Sequence, residues 1–536
     1  MTTEVQRPWR GGRALGLGDR GDAPPAGRHD ARDARHSGSS AGDDQPSGGW
    51  FARHPAWPVT ALLAGYPLWW ALGVADFMWI ILAVPMVGRM LAWHRSGSRK
   101  IRVPAGFGLW LIFLLWVLAG LPMLTLTAPG TVKSAVAHRL ISFVLRAVSY
   151  GGVTVLLLYV GNLTERELSR RRLAWLLGLV ALYAVAGGIG GVVAPHFQFR
   201  SPMLLLIPHS LQTNVQIQAS MHPGFAQVQN VFGTPGGQRF GTTGLQGFGA
   251  TGGQGRPKAP FDYTNAWGNS LSILLPWLIV GWWILGTRRQ RLIGGSAVVI
   301  ALVPLIYSLN RGVWIGIGLS VCYLAVRMAA KGKLALLGVI CAAIAVVGVA
   351  VLATPLHGVI SQRLQNGKSN DLRATLSAVA MKDALASPVL GYGDTRQEIG
   401  SPSSIAIGPT PSCGNCGQTP VGGNGQLWLL LICNGIVGAA LYLSFFAYGS
   451  WRYRRDTSPY GLAGVLVLLL SFVYMFAYVA VTAPLGFTML AYALLWRNDQ
   501  ARRQSAAGPP GADTMLGAAR PASIPGGRAD YAGSPA

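Results

Sequence analysis

The sequence predicts an all-α polytopic integral membrane protein. Of its 536 residues, 51% are hydrophobic and only 12% charged, and the mean hydropathy is +0.38. Soluble domains carry about 25% charged residues. Apolar runs of roughly 18 residues or more recur along the chain, the length that crosses a bilayer as a helix. The net charge of +25 would suit nucleic acid as a partner. Its distribution argues against that, because the basic clusters are short and fall between apolar runs, as the positive-inside rule expects.

Residues 1–55 are polar and rich in Gly, Ala, Pro and interspersed charges. They read as a disordered cytoplasmic tail. No apolar segment with a cleavage site precedes them, so no signal peptide is expected. A membrane domain at 56–497 follows, with about twelve predicted spans. These are 57–74, 77–93, 104–124, 140–161, 173–194, 265–286, 292–309, 312–328, 334–354, 425–449, 460–477 and 479–496. Residues 498–536 have the composition of a second disordered cytoplasmic tail.

The connections alternate in character. One set, "HRSGSRKIR", "LTERELSRRR", "TRRQR", "VRMAAKGK" and "WRYRRDTSP", is short and basic. These belong in the cytoplasm with both termini, in a cell inner (cytoplasmic) membrane. The other set holds a turn near Asp76, the segment "TLTAPGTVKSAVAH", the brief "SLNRG", and two long loops at about 195–264 and 355–424. This extracytoplasmic face is poor in acid: Asp76, Asp262, Asp371, Asp383, Asp394 and Glu398 stand against twice as many Lys and Arg. A basic outer face suits an anionic partner at the membrane surface.

Candidate residues follow from that topology. Arg311 opens the eighth span within "SLNRGVWIG"; it is either an interfacial anchor or an anion-binding group at a helix start. Arg139 and Arg146, seven residues apart, share one helical face. An arginine so placed faces the bundle interior, either as a structural pair with a carbonyl or carboxylate or as a substrate ligand. In "FDYTNAWGNSLSILLP", Tyr263 suits an interfacial belt, and Asn265 and Asn269 at i and i+4 could meet sugar hydroxyls.

The glycine-rich segment at 224–255 lacks both a preceding strand and a GK[ST] element, so it is neither a dinucleotide fingerprint nor a Walker A loop. It reads as a mobile loop. Cys413 and Cys416 form "CGNC" outside the membrane and suggest a local disulfide, since two further ligands for zinc are missing. Cys322, Cys341 and Cys433 lie in apolar runs and read as buried packing residues. No HExxH, GxSxG or paired His/Cys cluster occurs, so neither a metal nor a cofactor is implied.

An ordered series over about residues 260–450 resembles the O-antigen ligase/polymerase family of bacterial membrane glycosyltransferases. It consists of "YTNAWGNSLSILLP", "SLNRGVWIGIGLSVCYLAVR", "NDLRATLSAVAMKDALASPVLGYG" and "NGQLWLLLICNGIVG". The resemblance implies transfer of a glycan from a polyprenyl-diphosphate carrier to an acceptor hydroxyl on a glycan, lipid or protein, in cell-surface polysaccharide biosynthesis. It places Arg311 and Arg373 at the family's two functional arginines, and Gln426 beside its loop-to-helix signature. Asn424 stands where the family has histidine, and an amide cannot abstract a proton. It leaves Asp394, Glu398 or Asp371 as candidate bases, or catalysis by leaving-group stabilisation alone. Polymerase, transporter and non-catalytic scaffold remain alternatives.

Overall fold

The computed structural model describes residues 54–131, 135–208, 220–227, 255–308, 310–332, 338, 342, 368–399 and 418–506. Eight stretches are long and apolar enough to cross a membrane: 75–95, 107–125, 136–162, 170–193, 264–284, 288–307, 311–329 and 426–453. Each coincides with an expected span. The expected span at 334–354 lies outside the described residues.

The first expected span is instead two short helices, α1 (Trp57–Ala64) and α2 (Tyr66–Leu72), joined at Gly65. Pro58 and Pro67 each sit in a first helical turn, where a missing N–H leaves nothing unpaired. Gly73, at φ 76°, closes α2 in the left-handed region. The second span is split at Leu82 into α3 (Ala75–Ile81) and α4 (Ala83–Arg95).

The chain continues with α5 (Phe107–Ala119), α6 (Val136–Asn162) and α7 (Arg170–Val193). The helix α8 (Thr264–Leu278) contains Pro276 and runs on as a π turn over Ile279–Ile284. Next come α9 (Arg288–Tyr307), α10 (Arg311–Ala329) and α11 (Lys368–Ala386). The last three are α12 (Gln426–Tyr453), α13 (Pro459–Tyr474) and α14 (Ala483–Ala506).

Helix α14 carries on beyond 497, so the start of the expected tail is ordered. Polar partners hold it there: Asn498 donates to Asp456 Oδ2 at 2.5 Å, and Arg452 pairs with Asp499 at 3.0 Å.

Two short antiparallel sheets qualify the all-α expectation. Strands β1 (Ala226–Gln227) and β2 (Arg256–Pro257) close one long loop, and β3 (Arg396–Ile399) and β4 (Gln418–Val421) close the other. Both lie outside the helices, where a loop must satisfy its own backbone.

The core is aromatic. Trp110, fully buried, packs against Phe113, Tyr150, Tyr442, Phe445 and Phe446 and donates its indole N–H to Thr154 Oγ1 at 2.7 Å. Trp267 and Trp282 likewise donate to the carbonyls of Ala184 and Trp175, on α7. In an apolar interior each such bond avoids stranding a donor at a cost of about 1–3 kcal/mol. Cys433 belongs to the buried set, but Cys322 is exposed, because α10 turns only a narrow face to the bundle. Cys341 lies outside the described residues.

Polar contacts sort the connections into two groups, as the alternation predicts. Arg99 makes two hydrogen bonds to Glu167, Arg497 pairs with Glu165, and Arg327 donates to the Asp456 carbonyl. These unite the basic loops after α4, α6, α10 and α12 with the end of α14. The opposite group joins the turn at Asp76, the segment after α5, the start of α10, both long loops and the α13–α14 connection.

Candidate functional site

Helix α12 is broken at Gly435, where φ is 69° and ψ −175°. That backbone region is open essentially to glycine alone. The break exposes backbone groups that the segment after α11 then satisfies. Tyr392 and Gly393 N–H donate to the carbonyls of Ile432 and Cys433 at 2.8 and 2.9 Å, and Ile436 N–H donates to the Pro388 carbonyl at 2.7 Å. A side chain at Gly435 would come within 2.6 Å of the Pro388 and Val389 carbonyls. Residues 388–394 thus replace one turn of the helix, and Gly435 marks this docking point.

The docked segment delivers Asp394 into the bundle. Its carboxylate pairs with Arg146 Nη1 at 3.0 Å, with both side chains buried, and Arg146 also donates to the Gly393 carbonyl. Arg139, on the same face of α6, donates to the carbonyls of Leu124 and Leu126 at 2.9 and 3.1 Å. Arg396, 1% exposed, donates to the Leu126, Tyr392 and Asp394 carbonyls, each at 2.9 Å. Burial and the neighbouring Arg139 hold its guanidinium down to about 10. Arg146 and Asp394 therefore brace α6 against the second long loop, and Arg139 ties α6 to the segment after α5. This is the structural alternative for the two arginines, and it commits the Asp394 carboxylate to an ion pair.

A second arginine cluster surrounds Tyr478, in the connection between α13 and α14. Arg373, half-buried on α11, donates to the Ala477 carbonyl at 3.2 Å. Burial lowers its guanidinium; Tyr478 opposes this and the charge of Arg311 adds to it. Burial pushes the Tyr478 phenol well up, and the nearby charges of Arg373 and Arg256 pull it back. Arg256, on β2, donates through Nε to the Ser308 carbonyl at 2.8 Å. Arg311 is the first residue of α10, preceded by the buried Asn310, whose side-chain oxygen accepts from Tyr478 Oη.

Two glycines set how closely α10 approaches this cluster. A side chain at Gly312 would collide with the Tyr478 hydroxyl, and one at Gly316 with that of Tyr474. The pair at i and i+4 gives α10 a flat face for two tyrosine rings, a small-residue contact typical of membrane helices.

Asn424 lies beside Arg373, 3% exposed. Its Nδ2 donates to Ser377 Oγ at 2.8 Å and to the Arg373 carbonyl at 3.4 Å. The carbonyl contact fixes which side of the amide is nitrogen. Oδ1 is then a buried acceptor with no partner among the described residues.

Gln426 is buried: it donates to Tyr150 Oη at 3.2 Å and accepts from Ala480 N–H at 2.9 Å. It also lines a cavity below Tyr478 with Asn269, Ser471, Tyr474 and Thr488, with about 20 Å³ of room for water. That holds roughly one water and no sugar ring. Asn265 and Tyr263 are half-buried at the start of α8 and do not line this cavity.

The chain matches no protein-family model, no curated protein and no solved structure.

The structure therefore brings Arg311, Arg373 and Asn424 together and sets apart Arg146 and Asp394 as a brace, with Arg139 bonded to the segment after α5. Sequence reasoning missed Arg256 and Tyr478. Arg256 lies at the edge of the glycine-rich segment, and its cue was a cation just before the asparagine-bearing span. Among the described residues no cluster of metal-binding side chains occurs. Cys413 and Cys416 lie outside the described residues, as does most of the glycine-rich segment. The side chains of Asp371 and Glu398 also lie outside them.

Proposed function

We propose that this chain is an O-antigen ligase-like glycosyltransferase of the inner membrane, moving a glycan from a polyprenyl-diphosphate carrier to an acceptor hydroxyl at the outer face. The observation that carries the reading is the convergence of Arg311 and Arg373, from separate helices, around Tyr478 beside Arg256. Gathering like charges at a half-buried position is unfavourable by itself. It suits a site whose ligand supplies the negative charge.

Diphosphate is such a ligand. As the acceptor oxygen attacks the anomeric carbon, the glycosidic C–O bond breaks and negative charge grows on the departing diphosphate. Guanidinium groups grip phosphate oxygens through paired hydrogen bonds and stay charged throughout. The start of α10, where a helix dipole favours negative charge, lies at the same cluster. Asn424 takes no proton; its Oδ1 accepts a hydrogen bond from the acceptor hydroxyl and orients the nucleophile, whose proton passes to an oxygen of the departing diphosphate or to water as the new C–O bond forms. The partners in this reading are a lipid-linked glycan donor, a glycan, lipid or protein acceptor, and the bilayer. A repeat-unit polymerase would use the same chemistry with a second carrier-linked glycan as acceptor.

The test is purified protein in vesicles with labelled lipid-linked glycan. Release of polyprenyl diphosphate with glycan on the acceptor is expected. Arg311→Ala and Arg373→Ala should each lower the rate by about 10²–10³-fold while inserting normally. Wild-type turnover in both variants would sink the assignment. The break in α12 at Gly435 favours a second reading, a polysaccharide or lipid transporter, since interrupted helices form transporter sites. Glycan that changes leaflet while remaining on its carrier would select it.

A further inference from the structure

Two carboxyl groups outside both arginine clusters meet where the first long loop returns to the bundle. Asp76 is in the first turn of α3, and Asp262 precedes α8. The two side chains come within interacting reach of each other. Two carboxylates there would repel, because neither carries a donor, whereas a single proton held between them would join them. Each carboxyl is anchored on its outer side by a hydroxyl: Ser220 Oγ donates to Asp262 Oδ2 at 2.9 Å, and Thr482 Oγ1 donates to Asp76 Oδ1 at 3.0 Å.

These anchors tie together segments that carry the arginine cluster. Asp262 ends the stretch that begins with Arg256 on β2. Thr482 ends the connection that holds Tyr478 and the Ala477 carbonyl, the acceptor for Arg373. We propose that Asp76 and Asp262 share one proton and act as a proton-operated latch, fixing residues 256–262 and 475–482 to the start of α3. Its effect on ligand binding rests on the proposed function; the latch itself rests on the carboxyl pair.

The ionisable groups facing the pair are Tyr66 from α2 and Lys258 from the segment after β2. Burial raises Asp262 above the usual carboxylate range, against the opposing pull of Ser220 and Lys258. Burial also lowers Lys258, whose ammonium donates to the His222 carbonyl at 3.4 Å. A carboxyl raised in the folded state contributes stability that is fully present below its unfolded value. That contribution is lost as pH rises through the folded value. Removing the shared proton to solvent leaves two adjacent like charges, which repel. The latch is closed in acid and opens as pH rises.

Hydrogen exchange of the full chain in lipid nanodiscs tests this. Backbone protection at 220–227, 256–262 and 475–482, corrected for intrinsic rate, should fall by up to about tenfold per pH unit between the unfolded and the folded carboxyl values and level off above the folded one. Asp76→Asn, whose amide can donate to Asp262 permanently, should make protection independent of pH. A wild-type profile flat from about pH 5 to 9, or an Asp76→Asn profile that follows wild type, overturns the latch. Infrared spectra of wild type supply a check that needs no variant to fold: a protonated aspartic acid band must be present in acid and vanish as protection falls. Its absence in acid also overturns the proposal. Arg311→Ala should abolish binding of inorganic diphosphate yet keep the pH step in protection. A step lost in that variant overturns the latch as a separate device, whereas undiminished diphosphate binding overturns the anion-site reading alone.

Discussion

Removing the guanidinium in Arg146→Ala strands the Asp394 carboxylate in the bundle. Both partners are almost fully enclosed, at 3% and 5% exposure, and their bond is 3.0 Å long. Breaking a buried pair from one side costs about 3–5 kcal/mol. That lowers the folded-to-unfolded ratio by about 10²–10⁴-fold. Asp394→Asn should cost less, because the amide oxygen still accepts from Arg146 and the Gly393 carbonyl remains in place. Replacing both residues with Met and Leu should cost less than Arg146→Ala, since no charge is then left unpaired. Unfolding of the purified protein in mixed micelles, read by tryptophan fluorescence, gives the three values and their coupling. Arg146→Ala with wild-type stability would refute the brace. If Asp394→Asn kept full stability and lost all transfer, Asp394 would be a base and the structural argument would fail.

Three further outcomes follow from single contacts. Gly435→Ala meets the Pro388 and Val389 carbonyls at 2.6 Å and should cost at least about 1–3 kcal/mol; proteolysis within 388–394 should accelerate, and unchanged cleavage would contradict the docking. Asn424→His should keep or raise transfer activity, because it adds a titratable nitrogen beside Arg373; an unfolded product would show that the Ser377 contact is what matters at this position. At the opposite end of the bundle, burial raises Glu167, but the hydrogen bonds from Arg99 and Thr164 outweigh it and hold the carboxyl below its usual range. Its contribution is present above the unfolded carboxylate value and lost as pH falls through the folded one. Acid unfolding of Glu167→Gln should accordingly show a shallower pH dependence than wild type, and identical curves would refute the assignment.

Much of the bundle was legible because hydropathy reports on solvent. Residues 107–125 or 170–193 have one solution in a bilayer, a helix that satisfies its own backbone. Arg311 could be placed at a helix start because the charge interrupts two apolar runs. The break in α12 was not legible in "NGIVG". Glycines in a membrane helix ordinarily permit close packing, and the positive φ at Gly435 exists only because a segment far away in sequence supplies its hydrogen bonds. Asp76 read as a turn residue for the same reason: nothing near it announces Asp262. Tyr478 fell at an apparent tight turn, and its surroundings come from three other elements. Pairings of this kind belong to tertiary contact, which periodicity does not encode.

The broken helix makes two distant parts of the chain depend on each other. In hydrocarbon an unsatisfied backbone group costs several kcal/mol. The carbonyls of Ile432 and Cys433 and the N–H of Ile436 are satisfied by residues 388–393 rather than by α12 itself. Undocking that segment would strand all three and draw Asp394 away from Arg146 in the same movement.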